Sequence, residues 1–64
     1  MMLNEELITI ARELLTKEDR IILADRLNVH ISSIYPILRG IRKVNKSQYD
    51  MLQKYIVECK KERS

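Results

Sequence analysis

Glycine, proline, cysteine and histidine each occur once among these 64 residues, and tryptophan and phenylalanine do not occur. A lone cysteine forms no internal disulfide. One cysteine and one histidine fall short of the roughly four ligands of a structural zinc site, and no CxxC or HxxxH spacing is present. A single glycine excludes a glycine-rich phosphate cradle. One proline, no low-complexity run and an apolar share of 45% argue against disorder. No apolar run approaches the roughly 18 to 20 residues that span a bilayer. The opening Met1-Met2-Leu3-Asn4-Glu5-Glu6 turns acidic at once, unlike a signal peptide. The expectation is a small, soluble, cytoplasmic, mainly helical module, one domain over residues 1–64. It calls for no cofactor, no metal and no small-molecule ligand.

Charge is present in both signs but is unevenly spread. The net charge is +3. Residues 1–32 hold four Lys or Arg against six Asp or Glu, a net −2, whereas residues 33–64 hold eight against three, a net +5. Such a gradient suits a polyanion on one side of the molecule, although a solvated surface produces the same count.

Four helical segments follow from the apolar spacing. Leu3, Leu7, Ala11, Leu14 and Leu15 recur with helical period, Asn4 is a cap, and Glu5 and Glu6 complement the helix dipole, which predicts a helix over 5–15. Leu3 and Ile8 occupy the positions of a hydrophobic staple. Thr16 is a second cap, with Asp19 three residues on as a capping-box carboxylate, and opens a helix over 17–27. Asn28 tolerates the left-handed backbone that ends it. Ile34, Ile37, Leu38 and Ile41 form one stripe expected to be buried, and Gly40 fits the stop of a helix over 31–39. Asn45 and Gln48 make a further capping box, with Val44 and Tyr49 as staple. They begin a helix over 46–60 that is expected to fray through Lys60-Lys61-Glu62-Arg63-Ser64. With no strand signal and no internal repeat, the fold class is all-α, a four-helix domain.

The second and third helices are joined by only Asn28-Val29-His30, so they should cross steeply, near ~90–120°, with Ala24 where they touch. The stretch Arg20–Arg42 resembles the helix-turn-helix of the phage repressor and Cro family. That family's outline is L-A-x-x-L-G-V-S-x-x-x-[IV]-x-x-[IL]-x-x-G-x-[RK]. Leu23, Ala24, Leu27, Val29, Ile34, Ile37, Gly40 and Arg42 match it. The close likeness covers about a third of the chain. Asn28 replaces the usual turn glycine. His30 stands where the family has a Ser or Thr cap, and histidine is a poor cap by type. Pro36 lies inside the third helix, where a proline can cost about 3 kcal/mol. Ser32 and Ser33 are better caps, so a late start or a kink is expected there.

The resemblance implies duplex DNA binding and a role in transcription regulation, as a small Cro-like repressor. By position it assigns base contacts to His30, Ile31, Ser32, Tyr35 and Pro36. Serine can bond either base class, isoleucine can touch a thymine methyl, and histidine can donate to guanine. Arg20, Arg39, Arg42, Lys43, Lys46 and Ser47 are the candidates for phosphate contact, the last two at the amide end of the fourth helix. Plainer roles stand beside these. Arg20 can pair with Glu18 or Asp25, Tyr35 can be a half-buried aromatic, and Ser33 can simply cap. Cys59 reads as a small buried hydrophobe, and Met51 and Tyr55 as half exposed.

The fourth helix carries Tyr49, Leu52, Tyr55, Ile56 and Cys59, a wide stripe that suggests a homodimer through this helix. The alternative function is a protein–protein module, an anti-repressor or accessory factor, docking through Ile31, Tyr35 and Pro36. Nothing orients His30 beside Ser32 and Asp25 or builds an oxyanion site, so no enzyme is expected. Glu58 and Glu62 interrupt the basic end of the fourth helix, which argues against a membrane surface.

Overall fold

In the computed structural model, which describes residues 1–63, helix α1 (Glu5–Leu14) leads into α2 (Lys17–Leu27), α3 (Ile31–Leu38) and α4 (Lys46–Arg63). No strand occurs among the described residues. Each helix starts at a side chain that satisfies its exposed amides. Asn4 Oδ1 accepts from the Leu7 amide at 2.9 Å. At α2 the capping box closes in both directions, with Asp19 N–H donating to Thr16 Oγ1 and Thr16 N–H to Asp19 Oδ2 (3.3 and 2.7 Å). At α4 the same reciprocal pair joins Asn45 and Gln48, at 2.8 and 3.0 Å.

The helix stops decide where α3 points. Asn28 takes φ 57°, the amide of Val29 donates to Ala24 O and that of Asn28 to Asp25 O (3.0 and 3.1 Å). The same two-bond pattern closes α3. Gly40 sits at φ 74°, with Ile41 N–H donating to Pro36 O and Gly40 N–H to Ile37 O (3.0 and 3.1 Å). Both are Schellman turns, which consume carbonyls that a helix end leaves orphaned. A Cβ on Gly40 would collide with Ile8 Cδ1 and stand 3.3 Å from Leu3 O, so α1 also needs a glycine there.

Three expectations are corrected. First, α3 starts at Ile31, not at Ser32 or Ser33, because His30 caps it: His30 Nδ1 accepts from the Ser32 amide at 3.1 Å. Pro36 is accommodated inside the helix. The helix ends two residues later, and the Pro36 carbonyl serves the Schellman turn. Second, Ile41 is not buried but 69% exposed, since the turn at Gly40 breaks the helical period before Ile41 is reached. Third, α4 continues to Arg63, because the Arg63 guanidinium donates to both oxygens of Asp19, with Nη2 to Oδ1 at 2.9 Å. Ser64, the last of the residues expected to fray, lies outside the described residues.

α1 packs on α4 and on α3, and α2 packs on α3. Leu23, Ile34, Leu52 and Ile56 are fully buried at the centre, one or two from each of α2, α3 and α4. Leu7, Ile10 and Ala11 close the core from α1. Ala24 is also buried, and its carbonyl accepts from the Val29 amide in the turn between α2 and α3. Met1 and Val44 exchange two backbone hydrogen bonds, 2.6 and 2.7 Å, which ties the segment after α3 to the start of the chain.

Candidate nucleic-acid interface

α3 buries Ile34, Ile37 and Leu38 and turns Ser32, Tyr35 and Arg39 outward. His30 is exposed at its N-terminal end. Ile31 and Pro36 are half-buried, with Ile31 packed on the core, so neither is fully presented. Ser32 Oγ lies 2.9 Å from His30 Nδ1. The Ser32 amide donates to the same nitrogen at 3.1 Å, so His30 is tied to Ser32 through both backbone and side chain. The cap thus fixes the orientation of both side chains.

Tyr35 is 40% exposed, and the Arg20 guanidinium stacks on its ring, 5.3 Å from the centroid. Arg20 Nη1 also donates to Leu15 O at 3.4 Å. Arg20 therefore pairs with neither Glu18 nor Asp25. It is half-buried and bridges α2 to α3. Arg42 Nη1 donates to Ser33 Oγ at 2.9 Å, which lays the arginine back along α3. Arg39, Lys43, Lys46 and Ser47 are exposed. Lys46 pairs loosely with Asp50 at 3.7 Å, and both side chains are largely in solvent. Arg39, Arg42 and Lys43 have no carboxylate within ion-pair distance among the described residues.

Two features of this surface escape a reading of the sequence. Ile41 stands out from the turn beside Arg42 and Lys43. Arg12, from α1, shares a concavity with Arg20, Tyr35 and Arg39. Residues 12, 20 and 39 sit on three different elements, so no spacing signals their meeting.

A second polar cluster lies between α2 and α4. Asp19 is 3% exposed and accepts from Thr16, from Tyr55 Oη (2.6 Å) and from Arg63. The Arg63 guanidinium, helped by the Thr16 and Tyr55 hydrogen bonds, outweighs burial and holds the Asp19 carboxyl well below the usual carboxylate range. Burial and the neighbouring carboxylate push the Tyr55 phenol up to about 12. The Tyr55 ring also carries the Arg26 guanidinium, at 5.5 Å. Burial raises the Cys59 thiol as well. Cys59, Leu52 and Ile56 are buried within the chain itself, so most of the α4 stripe is already covered.

No group of three or more His, Cys, Asp or Glu placed to hold a metal ion occurs among the described residues, nor does a helix long and apolar enough to cross a membrane. Comparison with models of protein families, with curated proteins and with solved structures finds no match for this chain.

Proposed function

We propose that the chain binds duplex DNA, with α3 as the element that enters the major groove, and acts as a small transcription regulator. The observation that carries this reading is the junction of α3 with its exit. The outward face of Ser32, Tyr35 and Arg39 runs directly into Arg42, Lys43 and Lys46, a row of exposed cations of which only Lys46 has an acidic neighbour. A polyanion supplies the missing counter-charge, and its phosphates fix orientation while α3 reaches the base edges. The tight α2–α3 connection and the matches to the repressor and Cro pattern support the same reading. His30 and Ser32, oriented by the cap, and Tyr35 are the base-edge candidates. Ile31 and Pro36 contribute apolar contact at most, since both are half withdrawn. The amides of Lys46 and Ser47 at the start of α4 offer a further phosphate contact.

Dimerisation on a two-fold operator belongs to this reading but draws little from α4, whose large side chains serve the chain's own core. Protein docking through Ile31, Tyr35 and Pro36 is the competing function. It loses ground for the same reason that Ile31 and Pro36 do.

The test is fluorescence anisotropy of a labelled mixed-sequence duplex at several salt concentrations. Non-specific binding with Kd of roughly 10⁻⁴–10⁻⁶ M is expected, with log affinity linear in log salt. Four engaged phosphates give a slope of about −3.6, and replacing Arg42 and Lys43 by Ala lowers its magnitude by about 1.8. No binding at low salt, or a slope unchanged by the double substitution, refutes the proposal and turns the search to a protein partner.

A further inference from the structure

We infer that the concavity where α1, α2 and α3 meet is a pocket for a phosphate group, held by Arg12, Arg20 and Arg39. α1 and α2 contribute one guanidinium each and the residue capping the end of α3 the third, Tyr35 forms one wall, Ala11 and Leu38 contribute apolar floor, and no carboxylate lines the site. Three cations gathered without an acid repel one another, and arginine does not relieve this by losing its proton. An anion does.

The arginines here differ from the others in α2, α4 and the α3 exit. Arg26 lies on Tyr55, Arg42 bonds Ser33, and Arg63 clamps Asp19. The side chains of Arg12 and Arg39 have no hydrogen-bond or ion-pair partner among the described residues. Arg20 is held in place by Tyr35 and by Leu15 O, yet its Nε is buried with no acceptor. A fixed guanidinium with donors to spare is pre-organised for a planar, two-pronged contact. One carboxylate is satisfied by one such fork. A phosphate, whose unbridged oxygens are spread tetrahedrally rather than held in one plane with a carbon, can serve forks arriving from several helices. The apolar floor weakens solvent screening and so strengthens the attraction.

This inference rests on the three arginines and needs no duplex, although the DNA reading also gives Arg20 and Arg39 to phosphates. The phosphate has two possible sources, a nucleic-acid backbone or a small phosphorylated molecule. Inorganic phosphate is the probe. It is titrated against chloride at constant ionic strength while the arginine Nε–H and Tyr35 ring signals are followed by NMR. Saturable shifts are expected at Arg12, Arg20, Arg39 and Tyr35, with Arg26 and Arg63 unmoved. Arg12→Gln and Arg39→Gln, both at exposed positions, should each weaken binding by about tenfold without changing the thermal melt. Linear shifts spread over all arginines, or unaltered affinity in Arg12→Gln, overturn the inference.

Repeating the titration with a short duplex separates the sources. Loss of the phosphate shifts on duplex binding identifies a backbone phosphate, and their persistence identifies a free phosphorylated molecule. Duplex binding without a saturable phosphate site removes the pocket and leaves the DNA reading intact. The reverse result removes the DNA reading and leaves the pocket.

Discussion

Replacing Asp19 by Ala should cost this domain a large share of its stability. The carboxylate accepts from the Thr16 amide (2.7 Å) and hydroxyl (3.0 Å), from Tyr55 Oη (2.6 Å) and from Arg63, while being 3% exposed. Loss of its half of the capping box removes about 1 kcal/mol. The half-buried Tyr55 phenol loses a charged acceptor, worth about 2 kcal/mol. Arg63 is partly in solvent and rehydrates, so it adds little. The expected loss is about 3 kcal/mol, against a total of about 3–10 kcal/mol for a chain of this size. At a urea slope of about 1 kcal/mol/M, the midpoint falls by about 3 M. Urea unfolding followed by far-ultraviolet circular dichroism reads this directly. Acid offers an independent check. The folded carboxyl titrates well below the ordinary value of 3.8, so the unfolded chain takes up the proton first. Asp19 therefore stabilises fully above about pH 5, and its contribution fades as pH falls through 3.8 toward the folded value. Asp19→Asn should flatten that acid limb. A midpoint within about 0.5 M of the parent, or an unchanged acid limb, refutes the reasoning.

Gly40→Ala should destabilise by about 2–3 kcal/mol, combining the left-handed backbone with displacement of Ile8, and thermal unfolding measures it. His30→Ala removes the α3 cap and should cost about 1 kcal/mol, whereas His30→Ser restores it; equal melts for the two variants would contradict the capping role. Pro36→Ala returns an amide to α3 and should raise stability by about 1–2 kcal/mol, after allowing for the freer unfolded chain, as read by urea midpoints.

Local chemistry made the helices legible. Asn4, Thr16, Asn28, Gly40 and the Asn45–Gln48 pair act within four or five residues of chain, and each marks a boundary that the structure keeps. What was hidden acts at a distance. Arg63 meets Asp19 across 44 positions, so the basic tail looks frayed until the fold brings α2 beside it. Ile41 continues the apolar period of α3 on paper, but the glycine that stops the helix also discards the period. Capping preference ranks histidine low by residue type, while the contact His30 makes depends on where Nδ1 points. The apolar stripe of α3 made the outward course of Ser32, Tyr35 and Arg39 legible, whereas Ile31 and Pro36, expected beside them, are half-buried. The contribution of Arg12 to the arginine pocket was not legible.

α3 has only eight residues and is held between two left-handed joints, at Asn28 and Gly40. So short a helix has little tendency to form alone. Its course is dictated by those joints and by Ile34, Ile37 and Leu38 beneath it. The outward Arg39 side chain takes no part in either, and the Ser32 hydroxyl touches only the His30 cap, so both can be exchanged at little cost to the scaffold. If α3 reads base edges as proposed, variation at those sites changes what it reads without disturbing the joints that aim it, much as a printing head is changed without rebuilding the press.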